Sequence, residues 1–415
     1  MTDTPSPPPP RRAAVAFVMV TVLLDMLAMA IVLPVLPKLV LAFSAGDTAA
    51  ASWAMGVFGT GWNLMQFVAS PVVGALSDRF GRRPIILLSN FGLGLDYVLM
   101  ALAPGLALLF VGRIVSGITA ASFSTAGAYI ADTSPPERRA AGFGLLSVAF
   151  GVGFVLGPAV GGLLGGFDPR LPFWVAAGLS LANGAYGALV LPESLPKERR
   201  AAFRWSRANP VASLRLLGRH RQLAGISAVN FLSFLAQQSL QAVFVLYGIY
   251  RYGWDATTIG LTLAGYGACS AVVGGLLVRP VVARLGERRT LLIGLGCGVA
   301  GFAVLGLAPT SLIVWLGLPI LPLLGLSGPA AQAIMTRLVP ANEQGRLQGA
   351  GSSVMSFAGL IGPFLFTTVF ATALRAGGAW HMPGAPYFVA AGIMLLATLL
   401  GLAVTRHAGA AAAVA

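Results

Sequence analysis

Long apolar stretches alternate with short polar breaks along almost the whole chain. Each stretch has about the 20 residues that an α-helix needs to cross the hydrocarbon core of a bilayer. The pattern predicts an all-α integral membrane protein with twelve spans, at residues 13–36, 51–76, 84–103, 106–131, 140–166, 172–191, 222–247, 258–279, 290–308, 311–334, 347–374 and 386–405.

The first of these spans also has features of a signal peptide, because Arg11 and Arg12 precede an apolar run. However, Asp25 interrupts the run, no small-residue cleavage site follows it, and it continues as far as Pro34 and Pro37. We therefore interpret it as the first transmembrane helix.

Composition and charge agree with a membrane protein and predict its orientation. Of the 415 residues, 57% are hydrophobic and 10% are charged, and the net charge is +14. The basic residues are not pooled on one domain, as they would be in a nucleic-acid-binding protein, but fall in alternate loops. By the positive-inside rule, both termini are expected to be cytoplasmic. The inside loops then carry Arg11, Arg12, Arg79, Arg82, Arg83, Arg138, Arg139, Arg284, Arg288, Arg289, Arg337, Arg346 and Arg406, and the outside loops carry only Lys38, Arg170, Arg251 and Arg375.

An internal repeat predicts two related halves. Two patterns recur at one offset of 205 residues: Arg79, Gly81 and Arg83 return as Arg284, Gly286 and Arg288, and Gly157-Pro158 returns as Gly362-Pro363. We therefore expect two pseudo-symmetric six-helix bundles, at residues 1–191 and 222–415, joined by a basic cytoplasmic linker at 192–221. Parallel repeats of this kind bind substrate between the halves.

The loop between spans 2 and 3 combines one carboxylate with several guanidinium groups at fixed spacing from glycines. Such a cluster can latch one side of a transporter through charge-assisted hydrogen bonds. A topology signal alone would explain the arginines but not the Gly and Asp positions. We predict a cytoplasmic gate made of Gly74, Asp78, Arg79, Gly81, Arg82 and Arg83.

Three ionisable residues lie deep inside apolar spans: Asp25 in span 1, Asp96 in span 3 and Arg113 in span 4. Counting the helical rise from the span ends places them at a similar depth. A nearby guanidinium favours an ionised carboxylate, whereas desolvation favours the neutral form, and proton coupling needs this balance. We expect Asp25 to be the main coupling acid and Arg113 to modulate it. Alternatively, Asp96 and Arg113 form a static pair, which leaves Asp25 as the titrating group.

Glycines in span 5 and amide side chains in spans 2 and 7 indicate helix faces that contact other helices or the substrate. Span 5 contains Gly153, Gly157, Pro158, Gly161 and Gly162, a spacing that permits close helix approach and a bend. Amides that share one helix face are equally consistent with interhelical hydrogen bonding and with drug contact. The candidate substrate-binding residues are Asn63, Gln66, Asn230, Gln237 and Gln241.

In these motifs the chain resembles the major facilitator superfamily, and within it the twelve-span drug:proton antiporters. The span 5 glycines and proline resemble the antiporter signature, which favours export. Over nearly the whole chain the sequence resembles bacterial tetracycline efflux proteins, through GALSDRFGRRPIILLS, GRIVSGITAA, GAYIADTSPPERRA and ARLGERR among others. The resemblance implies a monomer in the bacterial inner membrane that exports drug as a magnesium chelate in exchange for protons, without a resident cofactor or metal.

The second half departs from that family's pattern. Tetracycline pumps of this type usually carry a histidine in span 8 and an acid in span 9, where alignment on ARLGERR places Ser270 and Gly298. The alternative prediction is a broad multidrug or metabolite exporter that does not recognise tetracyclines. An enzyme or an ATP-driven pump is not indicated, because the sequence has no phosphate-binding Gly-x-x-x-x-Gly-Lys-Ser/Thr loop, His/Cys metal set or nucleophile triad.

Overall fold

The computed structural model describes residues 12–119, 122–133, 136–196, 198, 200, 216–218, 221–340, 343–377 and 381–406. These residues form helices and no strands, which confirms the all-α class. The first half contains α1 Arg12–Val32, α2 Leu36–Phe43, α3 Thr48–Phe80, α4 Arg82–Ala101, α5 Leu106–Thr119, α6 Ser122–Thr133, α7 Pro136–Phe167 and α8 Leu171–Val190. The second half contains α9 Arg221–Tyr252, α10 Ala256–Val272, α11 Val278–Leu307, α12 Ser311–Gly317, α13 Ser327–Arg337, α14 Gln344–Arg375 and α15 Ala385–Thr405.

Prolines break two of the predicted spans. The first span ends as α1 at Val32, turns through Pro34 and resumes as α2, whose first turn contains Pro37. The tenth span consists of α12, a 3₁₀ segment at Leu321–Leu326 that contains Pro322, and α13. Proline lacks a backbone N–H and clashes with the preceding turn, so it fits where a helix begins and bends or breaks a helix in its interior.

Length and hydropathy alone select nine runs of described helix that can cross a membrane, together with the shorter apolar helix α5. The run Ala256–Leu307 includes two predicted spans, separated at Gly286 where the backbone leaves the helical region. Leu189 and Phe167 are each 86% exposed on the outer surface, as expected where lipid is the solvent. The exact count of twelve spans stays a prediction.

The two halves are built from the same helix pairs. In the first half α1 packs against α7 and α8, and α4 packs against α8. In the second half α9 packs against α14 and α15, and α11 packs against α15. Gly81 and Gly286, which the repeat relates, both have positive φ, at 109° and 75°. Most of the predicted linker, residues 201–215, lies outside the described residues, so the boundaries of the halves stay a prediction.

The molecule has two ends of different charge. The turns at Gly81 and Gly286 lie among arginines, and we call this the basic end. Helices α3 and α10 begin at the opposite end, which we call the far end. The positive-inside rule predicts that the basic end faces the cytoplasm.

The halves meet through two crossed helix pairs, α3 with α14 and α7 with α10. Ser52 Oγ donates to the carbonyl of Thr367 at 3.0 Å, and Thr257 Oγ1 donates to the carbonyl of Gly162 at 3.4 Å. Ser52 and Thr257 both lie in the first turns of their helices, at the far end. These contacts therefore join the halves on the side opposite the arginine-rich loops.

Candidate functional site

Asp25 is a buried carboxylate on α1 that two amides surround. Asn183 of α8 donates its Nδ2 to Asp25 Oδ1 at 2.9 Å and to the carbonyl of Thr21 at 3.0 Å. Asn90 approaches from α4, and the amide orientation that satisfies both groups puts its nitrogen 3.1 and 3.2 Å from the two carboxylate oxygens. Asp25 is 5% exposed and both asparagines are fully buried. The carboxylate therefore joins α1, α4 and α8.

Asp96 on α4 is equally buried, at 2% exposure, but its surroundings are different. Within the described part of the chain, neither of its carboxylate oxygens has a hydrogen-bond partner. Arg113 of α5 lies within electrostatic reach of Asp96, and its guanidinium lies over the Trp62 ring of α3, 5.3 Å from the centroid. Gly112 faces Asp96 directly, since a Cβ there would lie 2.9 Å from Oδ1. The missing side chain of Gly112 is what lets α5 approach the acid.

Tyr97 connects the two acids. Its buried ring, 3% exposed, lies within electrostatic reach of Asp25, Asp96 and Arg113. The three deep charges that the sequence singles out are therefore neighbours in one bundle. Asn90, Asn183 and Trp62 were not identified from the sequence, because buried amides and a ring that faces a cation follow no spacing rule. The only available signal was that two asparagines stand inside apolar spans.

The predicted gate forms a charge cluster at the basic end, centred on Arg82. Its Nη1 lies 2.6 Å from Asp78 Oδ1 and donates to Ser77 Oγ at 2.6 Å. Its Nε lies 3.1 Å from Asp132 Oδ2 of α6. Because the guanidinium reaches three helices, it fastens α3, α4 and α6 together inside the first half.

The other motif residues have separate contacts. Arg83 donates to the carbonyl of Ala188 in α8 at 2.6 Å, and Arg79 lies over the Phe80 ring at 5.1 Å from its centroid. Gly74 has open space around its Cα. The motif is therefore a set of contacts within one bundle, and its role as a gate stays a prediction.

Glu193, just after α8, completes this cluster and was missed from the sequence. Its Oε1 accepts from the backbone N–H of Arg82 at 2.8 Å and from that of Leu195 at 3.0 Å. The carboxylate thereby caps the first turn of α4, where the helix dipole favours negative charge. It also fills the space at Gly81, where a Cβ would overlap the carboxylate.

The second half carries an ion pair at the same two repeat positions with the charges exchanged. Arg337 Nη2 lies 2.6 Å from Glu287 Oε1. These residues stand 205 positions after Asp132 and Arg82, so the base of one pair corresponds to the acid of the other. Both pairs close the basic end of their own half.

The span 5 glycines pack α7 against α1. Cβ atoms at Gly153 and Gly157 would collide with Met26 and Ala30, and one at Gly161 would overlap the carbonyl of Ile31. On another face of α7, Gly162 lies against Gly260 of α10, so this glycine serves the contact between halves. Pro158 lies within α7, as Pro363 lies within α14.

The predicted amide residues divide into two groups. Asn63 lies at the contact between halves, since Gly359 of α14 sits against both Asn63 Oδ1 and Gln238 Nε2. Gln238 was missed from the sequence, although it stands beside a chosen residue. The other candidates do not share this contact: Gln237 donates to the carbonyl of Ser233 at 3.3 Å, Gln241 is exposed, and Gln66 and Asn230 are half-buried.

Ser270 and Gly298 stand at the two positions where the sequence resemblance led us to expect a histidine and an acid. Ser270 Oγ donates to the carbonyl of Tyr266 within its own helix at 2.9 Å. A Cβ at Gly298 would lie 2.7 Å from Met394 Cε and 3.1 Å from Leu324 Cδ1. Apolar packing therefore fills the place that an acid would take in this half.

Comparison with known proteins identifies this arrangement. The model of the Major Facilitator Superfamily matches residues 18–363.

The chain belongs to the major facilitator superfamily.

Relatives of this superfamily member include bacterial tetracycline resistance proteins. The class C protein of Escherichia coli is 39% identical over 91% of this chain and 95% of its own length. The class B protein of Escherichia coli is 32% identical over 87% of this chain and 90% of its own length. Among solved structures, the human organic anion transporter MFSD10 (TETRAN) is 25% identical and covers 95% of this chain and all of its own, with a TM-score of 0.69. A D-xylose-proton symporter shares the fold at 18% identity, with a TM-score of 0.73 over 94% of this chain and 96% of its own. This member of the superfamily is a multi-pass membrane transporter.

Proposed function

We propose that this transporter is a proton-coupled exporter of amphipathic drugs and that tetracyclines, carried as the magnesium chelate, are among its substrates. The observation that carries this proposal is the similarity to tetracycline resistance proteins over about nine tenths of the chain. The superfamily match over residues 18–363 includes Asp25, Asp96 and Arg113, which are neighbours in the first half. Buried charges cost free energy in a membrane and mark coupling sites by default.

Alternating access is the proposed mechanism. Each half is fastened internally at the basic end, by Arg82 and Asp132 in one half and by Glu287 and Arg337 in the other. The halves contact each other from the far end to beyond the middle of α3, through α3 with α14 and α7 with α10. Two bodies that contact each other over only part of their length can rock about that contact, and this supports a cavity that opens first to the basic end.

The proposal also covers the oligomeric state, the membrane, the orientation and the cofactor requirement of the transporter. We infer a monomer in the bacterial inner membrane. Both termini are expected in the cytoplasm, because the arginine-rich loops lie at one end. Protons would enter as drug leaves. No cofactor is required, since the magnesium ion is part of the transported substrate.

Transport into inverted membrane vesicles tests this proposal. Vesicles that contain the protein should accumulate tetracycline with magnesium when the vesicle interior is made more acidic than the outside. The accumulation should collapse when this pH gradient is dissipated. Vesicles from cells without the protein serve as the control. Accumulation that does not respond to the gradient would exclude proton coupling.

A second candidate function is a broad multidrug or metabolite exporter that does not transport tetracyclines. It is favoured by Ser270 and by the apolar packing at Gly298, where no ionisable group is present. Resistance profiles in a pump-deleted bacterial host separate the two candidates. Protection against other drugs without protection against tetracycline would favour this second function.

A further inference from the structure

The two buried aspartates of the first half differ in the hydrogen bonds that they receive. Asp25 accepts from Asn183 at 2.9 Å, and Asn90 supplies a second amide at 3.1 and 3.2 Å. Among the residues that the structure describes, none forms a hydrogen bond with either oxygen of Asp96. Both acids are buried, at 5% and 2% exposure, so the difference does not arise from a difference in surface exposure.

Hydrogen bonds to a carboxylate decide which form it prefers. Donated N–H groups stabilise the ionised form, and a neutral carboxyl would lose part of that stabilisation. A buried carboxylate without donors pays the desolvation cost of its charge in full, unless an opposite charge lies close by. Asp25 is therefore fixed in one form by its amides. Asp96 depends on Arg113 alone, so its form can change when Arg113 is drawn away.

We propose that Asp96 is the group that carries the proton and that Asp25 remains ionised as a positioning residue that joins α1, α4 and α8. This inference rests on the proposed proton-coupled export. It replaces the sequence-based expectation that Asp25 is the main coupling acid.

The proposed proton transfer takes place between the Asp96 carboxylate and water. The Asp96 carboxylate takes H⁺ from hydronium when the cavity is open to the far end, which leaves water and a neutral carboxyl. When the cavity opens to the basic end, the carboxyl returns H⁺ to water and the negative charge is restored. Arg113 is free to contact the π-face of Trp62 while Asp96 is neutral and to face the acid while it is charged. Drug and proton then compete for the same charge, and binding of one lowers the affinity for the other.

Few other titratable groups approach Asp96 within the part of the chain that the structure describes. Arg113 faces it from α5, and Asp25 lies across Tyr97 on α1. The helices packed around α4 add Tyr186 on α8, Tyr129 and Asp132 on α6, and Asp78 and Arg79 on α3, and of these Asp78 and Asp132 already pair with Arg82 at the basic end.

Infrared difference spectroscopy tests the assignment without any substrate. The protein in lipid is titrated across the physiological pH range, and the carbonyl band of a buried neutral carboxyl is followed. Wild type and Asp25→Asn should gain the same band on acidification, and Asp96→Asn should lack it. Loss of the band in Asp25→Asn with retention in Asp96→Asn would overturn the proposal, and so would the absence of any such band in wild type.

Two further variants keep the test decisive if Asp96→Asn folds poorly. Gly112→Ala brings a methyl group against Asp96 Oδ1, so it should shift the titrating band without removing it. Asn183→Leu takes a donor from Asp25, so it should add a second titrating carboxyl. An unshifted band in Gly112→Ala, or an unchanged spectrum in Asn183→Leu, would contradict the assignment.

Transport measurements connect the assignment to coupling. In proteoliposomes, Asp96→Asn should reduce the dependence of tetracycline accumulation on the pH gradient by at least about tenfold, whereas Asp25→Asn should keep it. If wild type itself ignores the gradient, the proposed function fails and the infrared result still decides which acid titrates. If wild type responds and Asp96→Asn responds equally, only the assignment fails.

Discussion

The two halves of this transporter share a scaffold and differ in chemistry. Gly157 packs on Ala30 in the first half, and its repeat partner Gly362 packs on Gln238 in the second. At the repeat offset of 205 residues, Asp25 corresponds to Asn230, which is half-buried. The place of a buried, hydrogen-bonded carboxylate is therefore taken by a neutral amide.

The same contrast holds for the other deep charges. Gly301 and Leu318 stand 205 residues after Asp96 and Arg113. A Cβ at Gly301 would lie 2.8 Å from a Leu321 methyl group, so this part of the second half is packed with apolar atoms. Apolar side chains that are packed in this way have few alternative arrangements, whereas charged side chains without fixed partners have more. These two buried charges of the first half therefore correspond to positions that apolar side chains fill in the second half.

The ion pairs at the basic end show how a repeat can keep geometry while it exchanges charge. Arg82 pairs with Asp132, and Glu287 pairs with Arg337 at the corresponding positions. The Arg82 side chain is 11% exposed and that of Arg337 is 75% exposed. The arginine of the first pair is therefore half-buried within a cluster, and the arginine of the second pair is exposed at the surface.

The largest effect is expected at the glycine contact between α1 and α7. Gly161→Ala would force a methyl group into the carbonyl of Ile31, and overpacking of this kind costs about 3 kcal/mol. Gly151→Ala on the same helix meets nothing within 4 Å and is the matched control. Folded yield and thermal unfolding in detergent should fall for Gly161→Ala only. Equal stability of the two variants would show that the first half does not depend on this contact.

The next largest effect is a difference in stability between variants of the two ion pairs. Arg82→Ala removes a half-buried guanidinium with three partners and should cost about 2 kcal/mol of unfolding free energy. Arg337→Ala removes an exposed partner and should cost less than about 1 kcal/mol. Thermal unfolding of both variants in the same detergent measures the difference. A larger loss for Arg337→Ala would contradict the view that the first half holds the stronger cluster.

A smaller effect is expected at the two turns with positive φ. Gly286→Ala meets open space and should cost about 1.5 kcal/mol for its backbone conformation alone, because a φ of 75° with a ψ of 165° lies in a region that is essentially restricted to glycine. Gly81→Ala carries the same strain and also displaces the Glu193 carboxylate, so it should be the more harmful substitution. The measurement is again thermal unfolding. Equal losses would mean that Glu193 moves aside freely.

The smallest effect concerns the helix caps at the far end. Asp47 caps α3 by accepting from Ala49 N–H at 2.8 Å, and Asp255 caps α10 by accepting from Thr258 N–H at 2.8 Å. Replacement of either by Ala should cost about 1 kcal/mol. Hydrogen bonds from Thr258 hold the pKa of Asp255 below its ordinary value. Its contribution is therefore present above that ordinary pKa and is lost as the pH falls through the lowered pKa. In acid, Asp255→Ala and wild type should converge in melting temperature, and a gap that persists would contradict this.

Sequence patterns identified the features that depend on residue spacing, such as the repeat. They missed the side-chain contacts that form only when helices pack. The offset of 205 residues identified Gly81 with Gly286 and Pro158 with Pro363, because glycine and proline constrain the backbone wherever they stand. The partners of the charges could not be found in this way. Asn183 reaches Asp25 from 158 residues away, and such a contact exists only after three helices have packed.

The breaks within spans show a similar limit. Hydropathy treats α1 and α2 as one stretch, since the turn at Leu33–Val35 is as apolar as its neighbours. The helix ends before Pro34 and resumes with Pro37 in its first turn, and these prolines remove backbone donors without lowering hydropathy much. Long apolar stretches therefore predicted the spans well and their internal geometry poorly.

Substrate-induced proton release tests most directly the claim that the proton chemistry lies in the first half. Tetracycline with magnesium is added to purified protein in weakly buffered solution, and the pH change is recorded. Wild type and Glu287→Gln, which removes an acid of the second half, should release protons alike, and Asp96→Asn should release none. Undiminished release from Asp96→Asn, or its loss in Glu287→Gln, would contradict the account.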